Sequence, residues 1–329
     1  MEAITISRKE QLQKFINSYF NNNDNLSLQQ LKGDASVRKY FRIVTENKSY
    51  IVMDCPPGLC KVEPFIKIAK HFSQIGISAP EIIHTDIKNG FIILEDFGDI
   101  TIKQYIEQKN DKNFKQEFLY LIIDLLIIIQ NNDLPNDLKL YDNQALIKEL
   151  DIFLSWYPQI TGKILTDSEI SEYKDIWQHI LSLQEAMPKT LVFRDYHTEN
   201  MMHLATRGGI NQLGLLDFQD AVIGSPIYDL VSILEDARIE IERDLAINAI
   251  QYFANKKNLD YNQVLLNYHI LGAQRNSRIL GVFVKKSIGE GNDNYLKYIP
   301  LLLKYLEYDL SHTKLKQLKL IMKKLFLNS

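Results

Sequence analysis

The sequence predicts an α+β protein in which a small antiparallel β-sheet precedes a large, mostly helical part. Up to residue 94, short runs of alternating apolar and polar residues are separated by turn residues, which is typical of half-buried strands. From residue 101 onward, apolar residues recur at the spacing of amphipathic helices. Three short apolar runs between residues 191 and 216 interrupt that pattern. Because a chain of 329 residues usually forms about two domains, we place the division between residues 1–95 and 96–329.

Capping and turn signals predict the elements of the first domain. Ser7 and Glu10 form a capping box that starts a helix. Asn89 and Gly90 are a strong hairpin signal, because a tight hairpin turn favours residues that tolerate positive φ. The predicted order is a helix that ends before 21–25, a turn at Gly33, two strands within 37–55, a helix from Pro64 to Gly76, and strands at 81–84 and 91–94.

The second domain is predicted to be helical except for one β-rich stretch. The predicted strands are short and apolar, and they lie at 191–193, 201–204 and 213–216. The predicted helices cover residues 101–108, 114–130, 143–157, 167–186 and several segments from Pro226 to the end of the chain.

Composition excludes several classes of protein. The 38 basic and 41 acidic side chains leave a net charge of −3, which does not favour binding to nucleic acid or to an anionic membrane. Cys55 and Cys60 are the two cysteines, too few for a disulfide framework or a zinc ligand set. The N-terminus lacks a signal-like apolar core, and the apolar run 118–129 is short and contains Asp124. We therefore expect a cytoplasmic protein.

The segment FRDYHTEN, residues 193–200, places several polar side chains directly after a strand that is predicted to be buried. Polar groups in such a place are costly unless they are satisfied or have a chemical role. Asp195 can orient an attacking hydroxyl and accept its proton, while Asn200 and Asp217 offer the oxygen ligands that Mg²⁺ prefers. These residue types and their order predict phosphoryl transfer from a nucleotide.

The same segment resembles the catalytic loop of the aminoglycoside phosphotransferase-like small-molecule kinases. LDFQD, residues 216–220, resembles the metal-binding segment of that family, and PIYDL, residues 226–230, resembles its next motif. The resemblance implies a two-lobed protein-kinase-like fold, in which Arg194, His197 and Asp229 support the loop. Only twelve positions separate Asp217 from Asp229, which leaves no room for the activation segment of a protein kinase. We therefore expect a small-molecule substrate.

The resemblance extends to the bacterial cell-wall kinases that phosphorylate the anomeric hydroxyl of N-acetylmuramate and N-acetylglucosamine. It is carried by segments in conserved order between about residues 30 and 300, among them GDASVRKYFRI, MDCPPG, ILEDFGD and QRNSRILGVF. It implies an ATP- and Mg²⁺-dependent amino-sugar kinase of peptidoglycan recycling. We expect it to act as a monomer on a sugar substrate, without nucleic acid or membrane partners.

The resemblance also implies which residues contact the nucleotide. The turn with Gly33, Asp34 and Ser36 is expected to cover the phosphates, and the backbone at Glu95 and Phe97 is expected to bind adenine. The strand at 49–55 lacks the lysine that usually contacts the phosphates. Three basic residues of the preceding strand are candidates to replace it, namely Arg38, Lys39 and Arg42.

Candidates for the acceptor pocket come from the helical domain. Trp156 and Tyr157 can stack on a sugar, although an aromatic pair at a helix end more often belongs to the core. Arg275 can bind an acetamido or carboxylate group, and an ordinary helix-surface position is an equally good interpretation. Two alternatives stay open: a kinase for an aminoglycoside or another small-molecule hydroxyl, favoured by the acids of ILEDARIEIERD, and a catalytically inactive nucleotide-binding scaffold.

Overall fold

The structure is a computed structural model that describes residues 7–20, 26–31, 37–109, 111–184 and 186–327. The chain forms two compact units. The first unit comprises Met1–Tyr105 and Glu199–Asp220, and the second comprises Ile106–Thr198 and Ala221–Ser329. The division at residues 95 and 96 stays a prediction about the folding domains. The predicted turn with Gly33, Asp34 and Ser36 lies outside the described residues.

A five-stranded antiparallel sheet forms the larger part of the first unit and confirms the predicted fold class. The strand order is β1-β2-β3-β5-β4, and every neighbouring pair is antiparallel. A second sheet in this unit is a two-stranded antiparallel hairpin, β7-β8. The strands are β1 (Ser27–Gln30), β2 (Lys39–Val44), β3 (Ser49–Asp54), β4 (Ile82–Asp86), β5 (Phe91–Glu95), β7 (Met201–His203) and β8 (Leu213–Leu215).

The two faces of the five-stranded sheet differ because side chains alternate along a strand. One face packs on helix α1 (Arg8–Tyr19), which starts at the predicted capping box and buries Leu12, Phe15 and Ile16. Apolar side chains of β2, β3 and β5 cover these residues. On this face Arg8 also binds Asp54, whose carboxylate is 3.0 Å from its Nε. The opposite face carries Tyr40 and Arg42 of β2.

The helix α2 (Glu63–Gln74) holds the segment after β8 by aromatic contacts. The ring of Phe218 lies 4.9 Å from that of Phe65 and 5.3 Å from that of Phe72. Phe218 is therefore a buried anchor for the residues beside it. Before α2, Cys55 and Cys60 form a disulfide with Cα atoms 5.6 Å apart, a pairing that the sequence did not predict.

The second unit is helical except for one two-stranded sheet, in which β6 (Thr190–Val192) pairs with β9 (Val222–Gly224). The helix predicted at 143–157 is divided in the structure into shorter helices. The helix α3 (Ile102–Lys109) crosses the boundary between the units. The others are α4 (Lys112–Gln130), α5 (Asn143–Glu149), α6 (Asp151–Trp156), α7 (Pro158–Thr161), α8 (Asp167–Ser182), α9 (Ile227–Leu234), α10 (Arg243–Lys257), α11 (Tyr261–Val284), α12 (Ile299–Asp309) and α13 (Lys316–Met322).

The long helix α11 is the centre of the second unit. Most of its residues are buried, including the polar run from Gln274 to Ser277. Gly281 permits close packing, because a Cβ at this position would lie 2.6 Å from the backbone of Phe153 in α6. Among the described residues, no helix is both long and apolar enough to span a membrane.

Candidate functional site

The candidate metal ligands lie at one end of the β7-β8 hairpin in the first unit. Met201 pairs with Leu215, and the Leu216 N–H donates to the carbonyl of Asn200 over 2.9 Å. Asp217 follows immediately with a positive φ of 55°, and its carboxylate accepts a hydrogen bond of 2.7 Å from Gln219. The hairpin thus brings an amide and an exposed carboxylate to the same end.

These residues fit a magnesium ion by the chemistry of their donor atoms. An Asn carbonyl oxygen and an Asp carboxylate are hard ligands, and Mg²⁺ in kinases commonly takes one or two protein ligands and completes its shell with phosphate and water. Within the described part of the chain, no group of three His, Cys, Asp or Glu side chains could hold a metal by itself. The hairpin end therefore suits an ion that arrives with a nucleotide.

Arg38 and Arg42, two of the candidate phosphate-binding residues, have different surroundings. Burial raises the pKa of Tyr40 to about 12; of the two charges that act on it, Arg38 lowers this pKa and Asp217 raises it. Arg38 and Asp217 therefore both act on the same tyrosine. Arg42 instead binds acidic residues after β5: its Nε is 2.6 Å from Asp96, and its Nη1 is 2.7 Å from Asp99.

The predicted adenine-binding segment begins at the end of β5, which lies between β3 and β4 in the sheet. The Glu95 N–H donates to the Glu81 carbonyl over 2.9 Å, and its carboxylate is 2.6 Å from Arg207. The Phe97 ring packs with apolar side chains of the β7-β8 hairpin. Gly214 of that hairpin allows this contact, because a Cβ there would lie 2.7 Å from the Phe97 ring. The segment is therefore firmly attached within the first unit.

In the second unit, Asp229 braces the loop that carries Asp195. Its side chain is fully buried, and its two oxygens accept the N–H groups of Phe193 at 2.6 Å and of Arg194 at 3.0 Å. This is the contact that the resemblance implies for Asp229. Burial raises the pKa of Asp229 to about 7, although both backbone hydrogen bonds lower it. Arg194 itself has a φ of 75°, which is unusual for a residue with a side chain.

Asp195 is half-buried among positive charges. Burial alone would raise its pKa, but the positive charges of Arg278, Arg275 and Arg194 more than offset this effect, and the pKa lies below its ordinary value. Asp195 is therefore ionised near neutral pH. Burial and the charge of Arg238 lower the pKa of His197 to about 3, so His197 is a neutral loop residue and not a proton donor at neutral pH.

A cluster that the motifs did not reveal surrounds Arg194. The carboxylate of Glu149, at the end of α5, binds the Arg194 guanidinium with one oxygen. Its other oxygen is 2.9 Å from Nε of Arg278 in α11 and also accepts the hydroxyl of Tyr141. The Tyr141 hydroxyl lies 3.3 Å from that of Tyr228. We call Glu149, Arg194, Arg278 and Tyr141 the Glu149 cluster.

The predicted acceptor residues have different surroundings. Arg275 is only 2% exposed and donates to the hydroxyl of Ser232 over 2.8 Å. Trp156 is half-buried, and its ring would contact a Cβ at Gly289. The Tyr157 ring stacks on Phe153 at 4.9 Å, which favours a packing role for Tyr157.

The braced loop with an ionised Asp in the second unit is typical of kinase-like phosphotransferases, and so is the hairpin of the first unit that ends in an Asn and an Asp. Comparison with known proteins gives the same class. The chain belongs to the phosphotransferase enzyme family, whose sequence model matches residues 27–262. The protein is thus an enzyme that transfers a phosphoryl group to a small molecule, as the sequence predicts.

Relatives and solved structures agree with this family. An N-acetylmuramate/N-acetylglucosamine kinase of Caulobacter vibrioides is 33% identical, and the match covers 88% of this chain and 89% of that protein. One of the same name from Neisseria meningitidis is 30% identical over 83% of this chain and 82% of its own length.

A putative aminoglycoside phosphotransferase from Ralstonia eutropha has a TM-score of 0.65 at 14% identity, over 92% of this chain and 98% of that one. The choline kinase LicA of Streptococcus pneumoniae has a TM-score of 0.60 at 16% identity, over 91% of this chain and 99% of that one. These two structures share the fold.

Proposed function

We propose that this protein uses ATP and Mg²⁺ to phosphorylate the anomeric hydroxyl of N-acetylmuramate and N-acetylglucosamine. The observation that carries the proposal is the similarity, at 33% identity over 88% of the chain, to a kinase named for these two sugars. The ionised Asp195 on its braced loop supports the same chemistry. A role in peptidoglycan recycling follows from the identity of the sugars.

Each step of the proposed reaction assigns a role to a described residue. Asp195 accepts a hydrogen bond from the anomeric hydroxyl, orients it towards the phosphorus atom and takes its proton. Because its pKa is lowered, the Asp195 carboxylate is a weak base and mainly orients the hydroxyl. This suits a loose transition state, in which little proton abstraction is needed before the phosphoryl group is transferred. Mg²⁺, held by Asn200 and Asp217, would neutralise the phosphate charge. Asp229, Arg194 and His197 keep the loop in position.

Nucleotide contacts in the proposal come from the first unit. The backbone at Glu95 and Phe97 binds adenine. Arg38 contacts the phosphates in place of the missing strand lysine, because it acts with Asp217 on Tyr40 whereas Arg42 binds two acidic residues. The turn with Gly33, Asp34 and Ser36 stays a prediction for phosphate contact. Trp156 stays a candidate to stack on the sugar, whereas Tyr157 and Arg275 are buried and contact Phe153 and Ser232.

The rival acceptor, a polycationic aminoglycoside, finds little support in the acids of ILEDARIEIERD. Glu235 is fully buried, and its carboxylate accepts hydrogen bonds from Asn276 at 2.6 Å and from Tyr268 at 3.0 Å. Asp236 is 1% exposed and accepts from Thr198. These two carboxylates are not available to a polycation. Glu240, Glu242 and Asp244 of the same segment are exposed, but Glu240 pairs with Lys304 and Glu242 with Lys112, so two of the three are already neutralised by lysines.

The test is an acceptor panel of N-acetylmuramate, N-acetylglucosamine, kanamycin and choline with Mg-ATP. We expect a 31P NMR signal of an anomeric sugar phosphate with the two amino sugars. Turnover with kanamycin or choline alone, or with no acceptor, would refute the proposal. The Asp195→Asn variant should bind ATP and turn over about 100 to 10,000 times more slowly. The Asp175→Asn variant, at an exposed position of α8, is the matched control and should keep its rate.

A further inference from the structure

The Glu149 cluster contains more positive than negative charge. Two guanidinium groups, those of Arg194 and Arg278, share the single carboxylate of Glu149. The third partner, Tyr141, is neutral, and burial raises its pKa well above its ordinary value. Asp195 immediately follows Arg194 in the chain, and its ionised carboxylate also acts on Arg278. The two arginines therefore lie beside the residue that is proposed to receive the acceptor hydroxyl.

One end of the Arg278 guanidinium is left without a hydrogen-bond partner among the described residues. Glu149 contacts its Nε, at 2.9 Å, and within the described chain neither terminal nitrogen of Arg278 has a hydrogen-bond partner. The side chain is 17% exposed. A guanidinium presents its donors in a plane that matches the two oxygens of a carboxylate. Glu149 thus holds Arg278 in place and leaves its terminal edge available.

Arg275 does not offer the same edge, although it was the arginine that the sequence suggested for this role. Its side chain is 2% exposed, and it points its Nη2 at the hydroxyl of Ser232. That hydroxyl in turn donates to the carbonyl of Arg194 over 3.4 Å. Arg275 therefore supports the loop from inside the helical core, while Arg278, one turn further along α11, is the accessible arginine.

We propose that Arg278 is a specificity-determining residue that binds the lactyl carboxylate of N-acetylmuramate. This inference rests on the proposed function. The two sugars differ in this anionic group, which N-acetylglucosamine lacks. A carboxylate bound by Arg278 would place the sugar next to the loop of Asp195.

The experiment compares three acceptors that isolate the carboxylate: N-acetylmuramate, its lactyl amide and N-acetylglucosamine. For the unmodified enzyme, kcat/KM should be about 10 to 100 times higher for the acid than for the amide, since a charged hydrogen-bonded pair is lost. In Arg278→Gln this ratio should fall to within about threefold of one, and in Arg278→Lys, which keeps a charge but not the planar edge, it should be intermediate. Arg278 also lowers the pKa of Asp195, and the loss of this effect would change kcat/KM for all acceptors alike. The ratio of kcat/KM for the acid to that for the amide cancels this common effect, so the ratio is the readout.

The possible outcomes separate this inference from the proposed function. If the unmodified enzyme phosphorylates none of these sugars, the proposed function fails. If it phosphorylates them but Arg278→Gln lowers kcat/KM equally for the acid and the amide, Arg278 acts on Asp195 or on the transferred phosphate and the inference is overturned. Activity on N-acetylglucosamine alone would overturn it as well. Arg243→Gln is the control: this arginine lies over the Tyr308 ring at 3.3 Å, and its loss should not change the ratio.

Discussion

The substitution Gly281→Ala tests whether the helix that carries Arg275 and Arg278 packs as closely as the structure shows. A Cβ at residue 281 would lie 2.6 Å from both the Cα and the N of Phe153, and 2.7 Å from the carbonyl carbon of Ile152. Ordinary contacts between carbon atoms are about 3.5 to 4.0 Å. The neighbours are backbone atoms of α6, so no side chain can rotate away, and α11 and α6 must separate.

The magnitude follows from two opposing effects. Adding a methyl group to a filled interior typically costs about 1 to 3 kcal/mol, and backbone neighbours place this site at the upper end. Replacing Gly by Ala inside a helix returns up to about 1 kcal/mol through helix propensity. We therefore expect Gly281→Ala to lower the free energy of unfolding by about 2 kcal/mol.

Urea unfolding followed by circular dichroism measures this change as a shift of the midpoint at unchanged slope. Gly208→Ala is the matched control, because a Cβ at that exposed glycine has no atom within 4 Å, and it should leave the midpoint unchanged. If Gly281→Ala were as stable as the unmodified protein, α6 and α11 would not be in close contact and the reasoning would be refuted. A shift of α11 should also lower kcat/KM for N-acetylmuramate in the variant.

Three further predictions concern the site. His197 has its pKa lowered to about 3 by burial, against about 6.5 when unfolded, so its contribution to stability is present above pH 6.5 and is lost as the pH falls. Between pH 7.5 and 5 the unfolding free energy of the unmodified protein should fall by about 2 kcal/mol relative to His197→Asn, and a constant difference would contradict this. Arg38→Ala should raise the KM for ATP about tenfold or more, while Lys39→Ala, an exposed neighbour, should change it little; equal effects in steady-state kinetics would exclude a specific phosphate contact by Arg38. Asp217→Asn should raise the Mg²⁺ concentration required for half-maximal turnover, and an unchanged magnesium titration would remove Asp217 from the metal site.

Local signals were sufficient for many elements of the fold. The capping box of Ser7 and Glu10 correctly predicted the start of α1. Asn89 and Gly90 correctly predicted the turn between β4 and β5, where Gly90 has a φ of 71° and a Cβ would lie 2.0 Å from the Cys55 carbonyl oxygen. Such signals work because the conformation that they require is determined by residues next to each other in the chain.

Elements that depend on distant partners were missed. The edge strand β1 is exposed along its whole length, so its residues do not alternate between apolar and polar. The strand β9 has only three residues, and its partner β6 lies some thirty residues earlier in the chain. The break between α5 and α6 at Leu150 contains neither Pro nor Gly, and tertiary packing decides it.

The same distinction applies to the site. Asp195, Asn200 and Asp217 were predicted as site residues because their spacing in the chain is characteristic. Glu149 belongs to no motif, and it meets Arg194 across 45 positions of the chain and Arg278 across a still longer separation. Only the folded second unit brings these three side chains together, so a sequence alone gives no spacing from which to predict the cluster.

The backbone of Arg194 explains why so many polar groups lie around this loop. A left-handed conformation costs a residue with a side chain about 1 to 2 kcal/mol, and it persists only if the surroundings hold it. Each part of Arg194 is held: Asp229 accepts its N–H, the Ser232 hydroxyl donates to its carbonyl, and Glu149 binds its guanidinium. Because the next residue is Asp195, these three contacts fix the direction in which the chain presents that carboxylate. Nε of Arg194 and Nδ1 of His197 are buried without a hydrogen-bond partner among the described residues, but the other contacts of the loop satisfy its polar groups. The combined effect of these contacts is to hold Asp195 in one position before any substrate binds.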